Sequence, residues 1–353
     1  MKADCTLGPV LASARSRYTC RMFRLVRDRQ GAPLAPQGSV VCIGAFDGVH
    51  CGHRALLNRV RERAARLGTA AVAVSFEPIP REYFARSSPV SRLDDVRGKI
   101  RQIAGLGLDM LMLLRFNADM AAMQAGQFVE QILVQRLAAR EVWVGADFRF
   151  GHNRQGDVAF MREMGGRHGY ATEVFPEFTL GGQAVRSSVI REMLARGDFM
   201  GARHLLGRPF KIGGHVVRGR QLGRKLGYPT ANIRLGRRTS PVNGIFAVRV
   251  HGVAGHSMAA VASLGVRPTV AGVEPLLESH LFDFDGDLYG RRINVEFVAK
   301  LRDEEKFDSL ESMVEQIGRD ADQARALLVP SNPVFQPDFA DERGRVRSSG
   351  ASA

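Results

Sequence analysis

The feature that most constrains the fold is a short glycine-rich segment between a buried strand and a helix. The apolar run Val40–Ile43 leads into residues 44–53, which read Gly-Ala-Phe-Asp-Gly-Val-His-Cys-Gly-His. A helical pattern follows, because Leu57, Val60 and Ala64 recur on one face. A helix that begins here presents its amide groups and the positive end of its dipole to a bound anion. The segment therefore predicts a strand–loop–helix unit with an anion site at its turn.

Two histidines lie at this turn, His50 and His53, and Gly48 and Gly52 let the backbone approach a ligand closely. A single histidine at a helix start is more often a cap or a surface residue than a catalyst. His-x-Gly-His at a strand–helix turn is nevertheless typical of nucleotidyltransferases that use no covalent intermediate. The longer string Gly-x-Phe-Asp-Gly-x-His-x-Gly-His resembles the adenylyltransferase module of bacterial bifunctional riboflavin kinase/FAD synthetases.

Length and composition indicate a globular protein of two domains. The chain has 353 residues, of which 45% are hydrophobic and 24% charged, and we expect each domain to bury its own core. No apolar run approaches the ~20 residues that a membrane-spanning helix needs, so we expect no membrane partner. The cysteines Cys5, Cys20, Cys42 and Cys51 show neither metal-binding nor disulfide spacing, which favours a reduced, cytoplasmic protein.

The net charge of +14 raises the question of nucleic-acid binding. Only six of the 50 basic residues are lysines, and the arginines are spread along the chain rather than grouped in one stretch. No nucleic-acid-binding signature with interleaved aromatic residues is present. We therefore expect small phosphorylated substrates, and not nucleic acid, to be the anionic partners.

Between residues 38 and 190 short apolar runs alternate with amphipathic stretches. We predict strands at Val40–Ile43, Ala71–Phe76, Met110–Leu114 and Glu141–Val144, and helices near 53–67, 94–105 and 124–138. This alternation predicts an α/β domain with a doubly wound parallel sheet. Ligands of such sheets bind beyond the carboxyl ends of the strands, where the segment 44–53 lies.

The pattern changes after Gly207. Short β-type runs separated by glycines indicate a small antiparallel β-barrel with a closing helix near 308–328. The runs are Gly214–Val217, Ile245–Val250, Ala259–Val261, Glu278–Phe284 and Ile293–Phe297. We predict a linker near 195–207 between domains that span 22–200 and 207–330. We expect residues 1–21 to be a disordered extension, or to precede a true start at Met22, and residues 331–353 to be a disordered tail.

Further segments of the first domain fit the opening motif. Ser75-Phe76-Glu77-Pro78 follows the second predicted strand, and residues 145–157, Gly-Ala-Asp-Phe-Arg-Phe-Gly-His-Asn-Arg-Gln-Gly-Asp, follow the fourth. Asp-Phe-Arg-Phe alone would indicate only a turn with aromatic packing. The thirteen-residue string, however, is similar to one in the FAD synthetase family, and Ser-Ser-x-Ile-Arg at 187–191 resembles the family's second phosphate-binding loop.

The resemblance implies that the FMN phosphate attacks the α-phosphorus of ATP, forming FAD and pyrophosphate. No base is required, because a phosphate monoester with a second pKa of about 6 is largely a dianion at pH 7. The implied catalytic residues are His50 and His53, which would stabilise developing charge together with Ser187, Ser188 and Arg191. The implied ATP-binding residues are Gly44, Phe46, Asp47, Gly48, Gly52, Ser187, Ser188 and Arg191. Those implied for FMN or the nucleotide are Asp147, Phe148, Arg149, Gly151 and Arg154, with Asp47 or Asp147 holding Mg²⁺ or the ribose.

A second glycine-rich stretch opens the C-terminal domain. Residues 219–232, Gly-Arg-Gln-Leu-Gly-Arg-Lys-Leu-Gly-Tyr-Pro-Thr-Ala-Asn, resemble the riboflavin kinase signature. Without Pro-Thr-Ala-Asn, a glycine-rich barrel loop that binds nothing would be an equal interpretation. The resemblance implies that ATP is bound by Gly219, Gly223, Lys225, Thr230 and Asn232. Thr230 and Asn232 would also offer neutral oxygen ligands to Mg²⁺.

Glu278 is the carboxylate that we assign as general base. The 5′-hydroxyl of riboflavin is a poor nucleophile at neutral pH, so this half of the protein gains from a base, unlike the first half. A glutamate on a strand is ordinarily a surface residue, but Glu-x-His before Asp-Gly-Asp-Leu-Tyr-Gly is similar to the family pattern. The resemblance further implies that Arg267 and Arg302 contact the flavin.

Three positions depart from the family pattern. Ile79 stands where the family often has His, Arg186 where it usually has a small residue, and Ser263 where it commonly has Asn.

The motifs together predict a bifunctional enzyme with riboflavin, FMN, FAD and ATP as partners, Mg²⁺ with ATP, and no prosthetic group. Two alternatives stay open: one activity has been lost, or a basic nucleic-acid-binding or regulatory protein has kept the fold. Self-association is also left open.

Overall fold

The computed structural model describes residues 22–27, 29–85, 90–219, 222–236, 239–269 and 272–329. The side chains of residues 222, 225, 266–269, 272 and 273 are outside that description. The predicted disordered regions, 1–21 and 331–353, lie outside the described residues. No helix within the described ranges combines the length and the apolar character needed to cross a membrane.

A six-stranded parallel sheet forms the N-terminal module. Its strands are β1 (Arg24–Val26), β2 (Ser39–Ile43), β3 (Ala70–Glu77), β4 (Met110–Arg115), β5 (Ala139–Gly145) and β6 (Ala171–Phe175). They follow the order β1-β4-β3-β2-β5-β6, and all the pairs are parallel. The order reverses between β2 and β5, where Cys42 and Trp143 are register partners. Such a reversal opens a crevice for ligands at the carboxyl ends of the strands.

Helices cover both faces of this sheet. The helices up to the last strand of the sheet are α1 (Cys51–Leu67), α2 (Pro80–Phe84), α3 (Val96–Gly105), α4 (Ala118–Ala122), α5 (Ala125–Phe128) and α6 (Val158–His168). Two more, α7 (Ser187–Ala195) and α8 (Phe199–Leu206), follow the sheet and share a core with the C-terminal module. A hairpin of β7 (Thr179–Leu180) and β8 (Gln183–Ala184) precedes α7. Along β2, Val40 faces a core that includes Leu57 of α1, while Val41 faces a second core that includes Met161 of α6. The doubly wound sheet is thereby confirmed.

The four predicted strands and the helices at 53–67 and 94–105 are confirmed within a few residues. The predicted helix at 124–138 differs, because α5 ends at Phe128 and the chain continues as a π-helix, Val129–Arg136. The amide of Leu137 there donates to the carbonyl of Ile132, five residues back. The pattern also misses β1, which has three residues, and β6, which is not fully buried at any position.

The C-terminal module is a closed antiparallel barrel, as predicted. Its strands are β9 (Lys211–Val217), β10 (Ala231–Arg234), β11 (Gly244–His251), β12 (Met258–Thr269), β13 (Gly272–Leu281) and β14 (Arg292–Arg302), in the order β10-β13-β12-β11-β14-β9. A short helix, α9 (Leu222–Lys225), precedes β10, and α10 (Leu310–Leu328) packs on the outer face. The pattern misses β10 and places the strand at 278–284 too late, since β13 ends at Leu281.

Most of the range 195–207, which is predicted to be a linker, forms a helix, α8. The ring of Phe199 in α8 lies 5.9 Å from those of Phe246 and Phe297 in the barrel. Buried side chains of α7 and α8 belong to the same apolar core as the barrel interior. The two modules therefore do not bury wholly separate cores, because the helix that joins them is amphipathic and packs against the barrel.

Two candidate active sites

The first candidate site lies where β2 ends. The loop 44–50 leaves the sheet through left-handed backbone at Phe46, Gly48 and Val49. A Cβ atom at Gly48 would lie 2.8 Å from Cδ1 of Leu93, so this position needs glycine for packing as well as for its φ of 86°. The hydroxyl of Ser75 donates to the Ala45 carbonyl at 3.2 Å. Neighbouring β3 thereby holds the loop over the end of the sheet.

His50 and His53 form the centre of this site. Their rings stack with centroids 3.6 Å apart, and the Phe46 ring meets His53 edge-on at 5.2 Å. His50 Nδ1 accepts the backbone N–H of His53 at 3.3 Å and so caps α1. Because Nδ1 is an acceptor, the proton of neutral His50 is assigned to Nε2, which is left as a donor. Capping and anion binding can therefore use different nitrogens of one ring.

Both imidazoles are neutral at pH 7. Burial, aided by the positive charge of Arg191, lowers the pKa of His50 to about 4. Burial is also the main cause that holds the pKa of His53 well below its usual range, with His50 and Lys99 adding to it. Nδ1 of His53 is buried and has no hydrogen-bond partner among the described residues. A phosphate against this pair would meet neutral donors, and its negative charge would raise both pKa values.

Asp47 is bound by the protein itself. Its carboxylate accepts the Leu93 amide at 3.1 Å and pairs with the guanidinium of Arg191, and only 3% of the residue is exposed. Its carbonyl accepts the Ser187 hydroxyl at 2.9 Å. These contacts bring the N-terminus of α7 against the loop 44–50. These contacts give Asp47 a role in holding the loop, and its direct contact with ATP, the ribose or Mg²⁺, which the resemblance implies, stays a prediction.

The other implied ATP contacts occupy the same neighbourhood. Ser188 is exposed in the first turn of α7, and Gly52 lies in the first turn of α1. The Gly44 amide is bonded to the Val74 carbonyl at 3.0 Å. Phe46 is fully buried in an apolar core, so only its backbone can face a ligand.

The end of neighbouring β5 carries a second loop, residues 146–157. Phe150 and Gly156 exchange two backbone hydrogen bonds, which close the loop. Gly151 has a φ of 74°, and a Cβ atom there would lie 2.7 Å from the Ala125 amide nitrogen. The loop borders a cavity of about 350 Å³. Its lining includes Asp147, Phe148, Arg149, Arg154 and Asp157. Four of the five residues implied for FMN or the nucleotide therefore line one cavity, one strand away from the histidines.

A band of aromatic rings, which the sequence reasoning misses, follows the same edge of the sheet. Consecutive ring centroids lie between 5.3 and 6.4 Å apart. In spatial order the rings of this aromatic band are Phe84, Phe116, Phe76, Phe128, Phe150 and Phe148. Phe84 is 67% exposed and ends the band. Phe76, Phe148 and Phe150 stand in motifs quoted above, but no local pattern links them to the other three.

A buried lysine lies behind the loop and is also missed. Lys99 of α3 is fully buried, and its Nζ donates to the Ser75 hydroxyl at 3.4 Å and to the Phe76 carbonyl at 3.3 Å. Burial lowers its pKa. Glu77 lies 3.9 Å from this ammonium and also accepts from Arg92. The Ser-Phe-Glu part of the motif thus supports the site through buried charge.

The second candidate site lies on the outer face of the barrel. Asn232 on β10 and Ser263 on β12 are the register partners of Glu278 on either side. Leu277 and Ser279, which flank Glu278 on β13, are fully buried. Side chains alternate along a strand, so Glu278 and Asn232 point together to the opposite face.

The glycine-rich stretch packs directly against this pair. A Cβ atom at Gly219 would lie 2.0 Å from Asn232 Nδ2, and one at Gly223 would lie 2.3 Å from the Tyr228 carbonyl oxygen. Oδ1 of Asn232 is buried and has no hydrogen-bond partner in the described part of the chain. A buried amide oxygen without a donor, two residues from Thr230, fits a cation ligand. No described group of three or more His, Cys, Asp or Glu side chains could hold a metal.

His280 supports the turn that carries Thr230. Its Nδ1 lies 2.9 Å from the Pro229 carbonyl, and the Tyr228 ring meets it edge-on at 5.3 Å. The Glu-x-His motif therefore combines an outward carboxylate with a residue that holds the Pro-Thr-Ala-Asn turn. The sequence does not predict this positioning role of His280.

The implied flavin contacts differ in what the structure describes. Arg302 donates to the Asp320 carboxylate at 2.8 to 3.1 Å through Nε and Nη2, and it lies 3.2 Å from Glu305. Its guanidinium is thus used to fasten α10 to β14. The side chain of Arg267 lies outside the described part of the structure, as does that of Lys225, which the resemblance assigns to ATP.

The structure describes the surroundings of the three residues that depart from the family pattern. Ile79 is 3% exposed and precedes α2. Arg186 donates to Glu177 through Nε at 2.7 Å and is exposed. Ser263 stands beside Glu278 in register. None of them contacts His50 or His53 in the described structure.

Comparison with known proteins matches each module to a family model. The family model for FAD synthetase matches residues 32–189, and the model for riboflavin kinase matches residues 206–328. The chain is 44% identical to a bifunctional riboflavin kinase/FMN adenylyltransferase of Pseudomonas fluorescens over 310 residues, which are 88% of this chain and 99% of that protein. The corresponding protein of Escherichia coli K12 is 41% identical over 312 residues, which are 88% of this chain and all of that protein.

Similarity to a solved structure extends over both modules. The solved structure is a crystal structure described as a macrolide-efflux protein from Streptococcus pneumoniae, with a TM-score of 0.71 and 27% identity. The similarity covers 86% of this chain and 99% of that chain. The arrangement of a parallel sheet followed by a barrel is therefore shared with an experimental structure.

Proposed function

This chain belongs to the family of bifunctional riboflavin kinase/FMN adenylyltransferases, and from that premise we propose that it makes FAD in two steps. The barrel phosphorylates riboflavin to FMN with one ATP, and the parallel-sheet module joins FMN to the AMP part of a second ATP. The observation that carries the proposal is that each family model coincides with a separate site whose residue types suit its reaction. We propose the division 22–200 and 207–330 for the two modules, with α8 packing on both.

In the first step the 5′-hydroxyl of riboflavin attacks the γ-phosphorus of ATP. The new O–P bond forms as the bond to the ADP oxygen breaks, and the hydroxyl proton must leave. Glu278 accepts that proton as general base. Its register position beside Asn232 supports the assignment, because the base and the phosphate-binding stretch then share one face.

Thr230 and Asn232 would hold Mg²⁺ in this step. The buried, unpartnered Oδ1 of Asn232 supports the fit, since neutral oxygens suit a cation whose charge is balanced by phosphate. When bound, Mg²⁺ neutralises part of the triphosphate charge. Gly219 and Gly223 leave the space in which backbone amides approach the phosphates.

In the second step a phosphate oxygen of FMN attacks the α-phosphorus of the second ATP. The bond between that phosphorus and the bridging oxygen breaks, and pyrophosphate leaves. His50, through Nε2–H, and His53 stabilise the developing charge, together with the N-terminal ends of α1 and α7. No base is assigned, because the attacking phosphate is already ionised at pH 7.

The flavin ring of FMN would lie against the aromatic band. Exposed Phe84, at one end of the band, supports this placement, because isoalloxazine is a flat aromatic system that stacks on such rings. Asp147, Arg149 and Arg154 line the cavity beside Phe148, at the other end of the band, and would bind the polar parts of the substrates. We also propose a cytoplasmic location, which the free thiols of Cys42 and Cys51 support.

A single product analysis tests this proposal. The purified chain is incubated with riboflavin and Mg-ATP, and the flavins are separated by chromatography over time. FMN should appear first and FAD should follow with release of pyrophosphate. Accumulation of FMN alone would show that only the kinase is active, and recovery of unchanged riboflavin together with unchanged added FMN would contradict both activities.

A further inference from the structure

Arg208 joins the two modules through contacts that neither catalytic set includes. It stands between α8 and β9, within the region that matches the riboflavin kinase model. Its Nη2 donates to the Gly48 carbonyl at 3.0 Å and to the Asp94 carboxylate at 2.8 and 2.9 Å, and its Nε donates to Gln102 at 2.7 Å. Gly48 belongs to the loop 44–50 of the other module, which we call the histidine loop. One side chain from the kinase region therefore touches the adenylyltransferase loop.

The chain around Asp94 is held from both modules. In residues 91–95, which we call the 91–95 segment, Asp47 accepts the amides of Leu93 and Asp94, and Arg191 donates to the Ser91 carbonyl. From the barrel side, the Thr239 carbonyl accepts the Arg92 amide at 3.1 Å, and Arg292 donates to Asp95 at 3.0 Å. Arg191 and Arg208 each bond both the segment and the loop 44–50, and of these two only Arg208 comes from the region that matches the riboflavin kinase model.

We propose that Arg208 is a positioning residue for adenylyl transfer, and that it holds the Gly48 peptide so that the loop 44–50 fits the ATP phosphates. The proposal rests on the proposed function of the N-terminal module. Gly48 has a left-handed φ of 86°, and its Cα side is filled by Leu93 and by Leu206 of α8. The carbonyl of such a peptide needs a fixed donor, and a planar guanidinium can reach this carbonyl and Asp94 together.

The electrostatic setting supports a tight contact. The Asp94 side chain is 8% exposed, and its burial together with the neighbouring Asp47 and Asp95 carboxylates raises its pKa to about 6, although Arg208 opposes the rise. The guanidinium is thus the one strong cationic partner described for this carboxylate. Losing it would release the Gly48 carbonyl and leave two carboxylates, Asp47 and Asp94, close together.

The test compares Arg208→Lys with Arg292→Gln. Lysine keeps a positive charge beside Asp94, but its single ammonium group cannot also bond the Gly48 carbonyl and Gln102. Arg292→Gln is the control, because it removes the ion pair between Arg292 and Asp95, which does not contact the loop 44–50. For Arg208→Lys we expect kcat/KM for ATP in FAD formation to fall about tenfold or more, with KM for FMN and the riboflavin kinase rate changed less than about twofold. Arg292→Gln should change both activities less than about threefold.

The proposal is overturned if Arg208→Lys leaves FAD formation at the wild-type level, if both activities fall equally, or if Arg292→Gln lowers FAD formation as much. A double variant, Arg208→Met with Asp94→Asn, removes the buried pair without leaving a lone charge. It should stay folded, as judged by its kinase rate, and still lose FAD formation; retention of FAD formation would also overturn the proposal. If the wild type itself forms no FAD from FMN, the proposed function fails, and the two failures are thus distinguishable.

Discussion

The ring of His50 accepts the backbone N–H of His53 and stacks on the His53 ring at 3.6 Å, so the two imidazoles are fixed relative to each other without a ligand. The arrangement is compatible with both interpretations of a histidine at a helix start. His50 is a helix cap through Nδ1, and its Nε2 still offers a donor to an anion. Preorganised neutral donors of this kind stabilise charge without having to rearrange during the reaction.

Because the pKa of His50 is lowered in the folded protein, the free energy of unfolding depends on pH, and His50→Asn should reduce that dependence. Asparagine keeps an N-cap acceptor but does not titrate. The folded pKa of about 4 lies below the unfolded value, so the unfolded chain binds more protons between these values. His50 therefore contributes stability that is complete above pH ~6.5 and is lost as the pH falls to about 4.

Urea unfolding of the wild type and the variant at several pH values measures this contribution. Between pH 7 and pH 4, the wild type should lose about 3 kcal/mol more unfolding free energy than His50→Asn. If the unfolding free energies of the two proteins changed equally with pH, the pKa of His50 would be the same in the folded and the unfolded state.

Gly219→Ala should inactivate the kinase and spare adenylyl transfer. The added Cβ would lie 2.0 Å from Asn232 Nδ2, so the asparagine that we assign to Mg²⁺ must move. We expect FMN formation to fall at least about tenfold, while FAD formation from supplied FMN stays within about twofold. Gly255→Ala is the matched control, since a Cβ there meets nothing within 4 Å. Equal kinase rates in the two variants would remove Asn232 from the site.

Phe84→Ala tests the aromatic band. The residue is 67% exposed, so its removal should leave the melting temperature unchanged. If the flavin stacks at this end of the band, KM for FMN in FAD formation should rise about tenfold, because one stacked ring contributes ~1–3 kcal/mol. Phe84→Tyr should retain wild-type KM, and the riboflavin kinase rate should be unaffected by either change. An unchanged KM in Phe84→Ala would place the flavin elsewhere.

The sequence predicts what depends on local pattern. The buried run before residues 44–53 and the apolar face after it locate β2 and α1, and turn glycines separate most barrel strands. The glycine at 219 indicates that the backbone there approaches another group closely. That group is Asn232, and only the pairing of β9 with β10 identifies it. Motif residues were therefore found more readily than their partners.

What the sequence does not predict depends on long-range packing. Asp47 carries a motif position, yet its partners Leu93 and Arg191 come from distant parts of the chain, and no local pattern predicts that they hold its carboxylate. The aromatic band is assembled from separate segments in the same way. The range 195–207 lies between two motif sets and is predicted to be a linker, but α8 within it has an apolar face that packs in one core with the barrel interior.

The central claim is that one chain contains two independent active sites, and reciprocal variants test it most directly. Riboflavin and FMN are supplied in separate assays to Glu278→Gln and His53→Ala. Glu278→Gln should lower FMN formation by about a hundredfold or more and leave conversion of FMN to FAD within about twofold, and His53→Ala should do the reverse. If Glu278→Gln stopped FAD formation even when FMN was supplied, the assignment of two separate sites would be wrong.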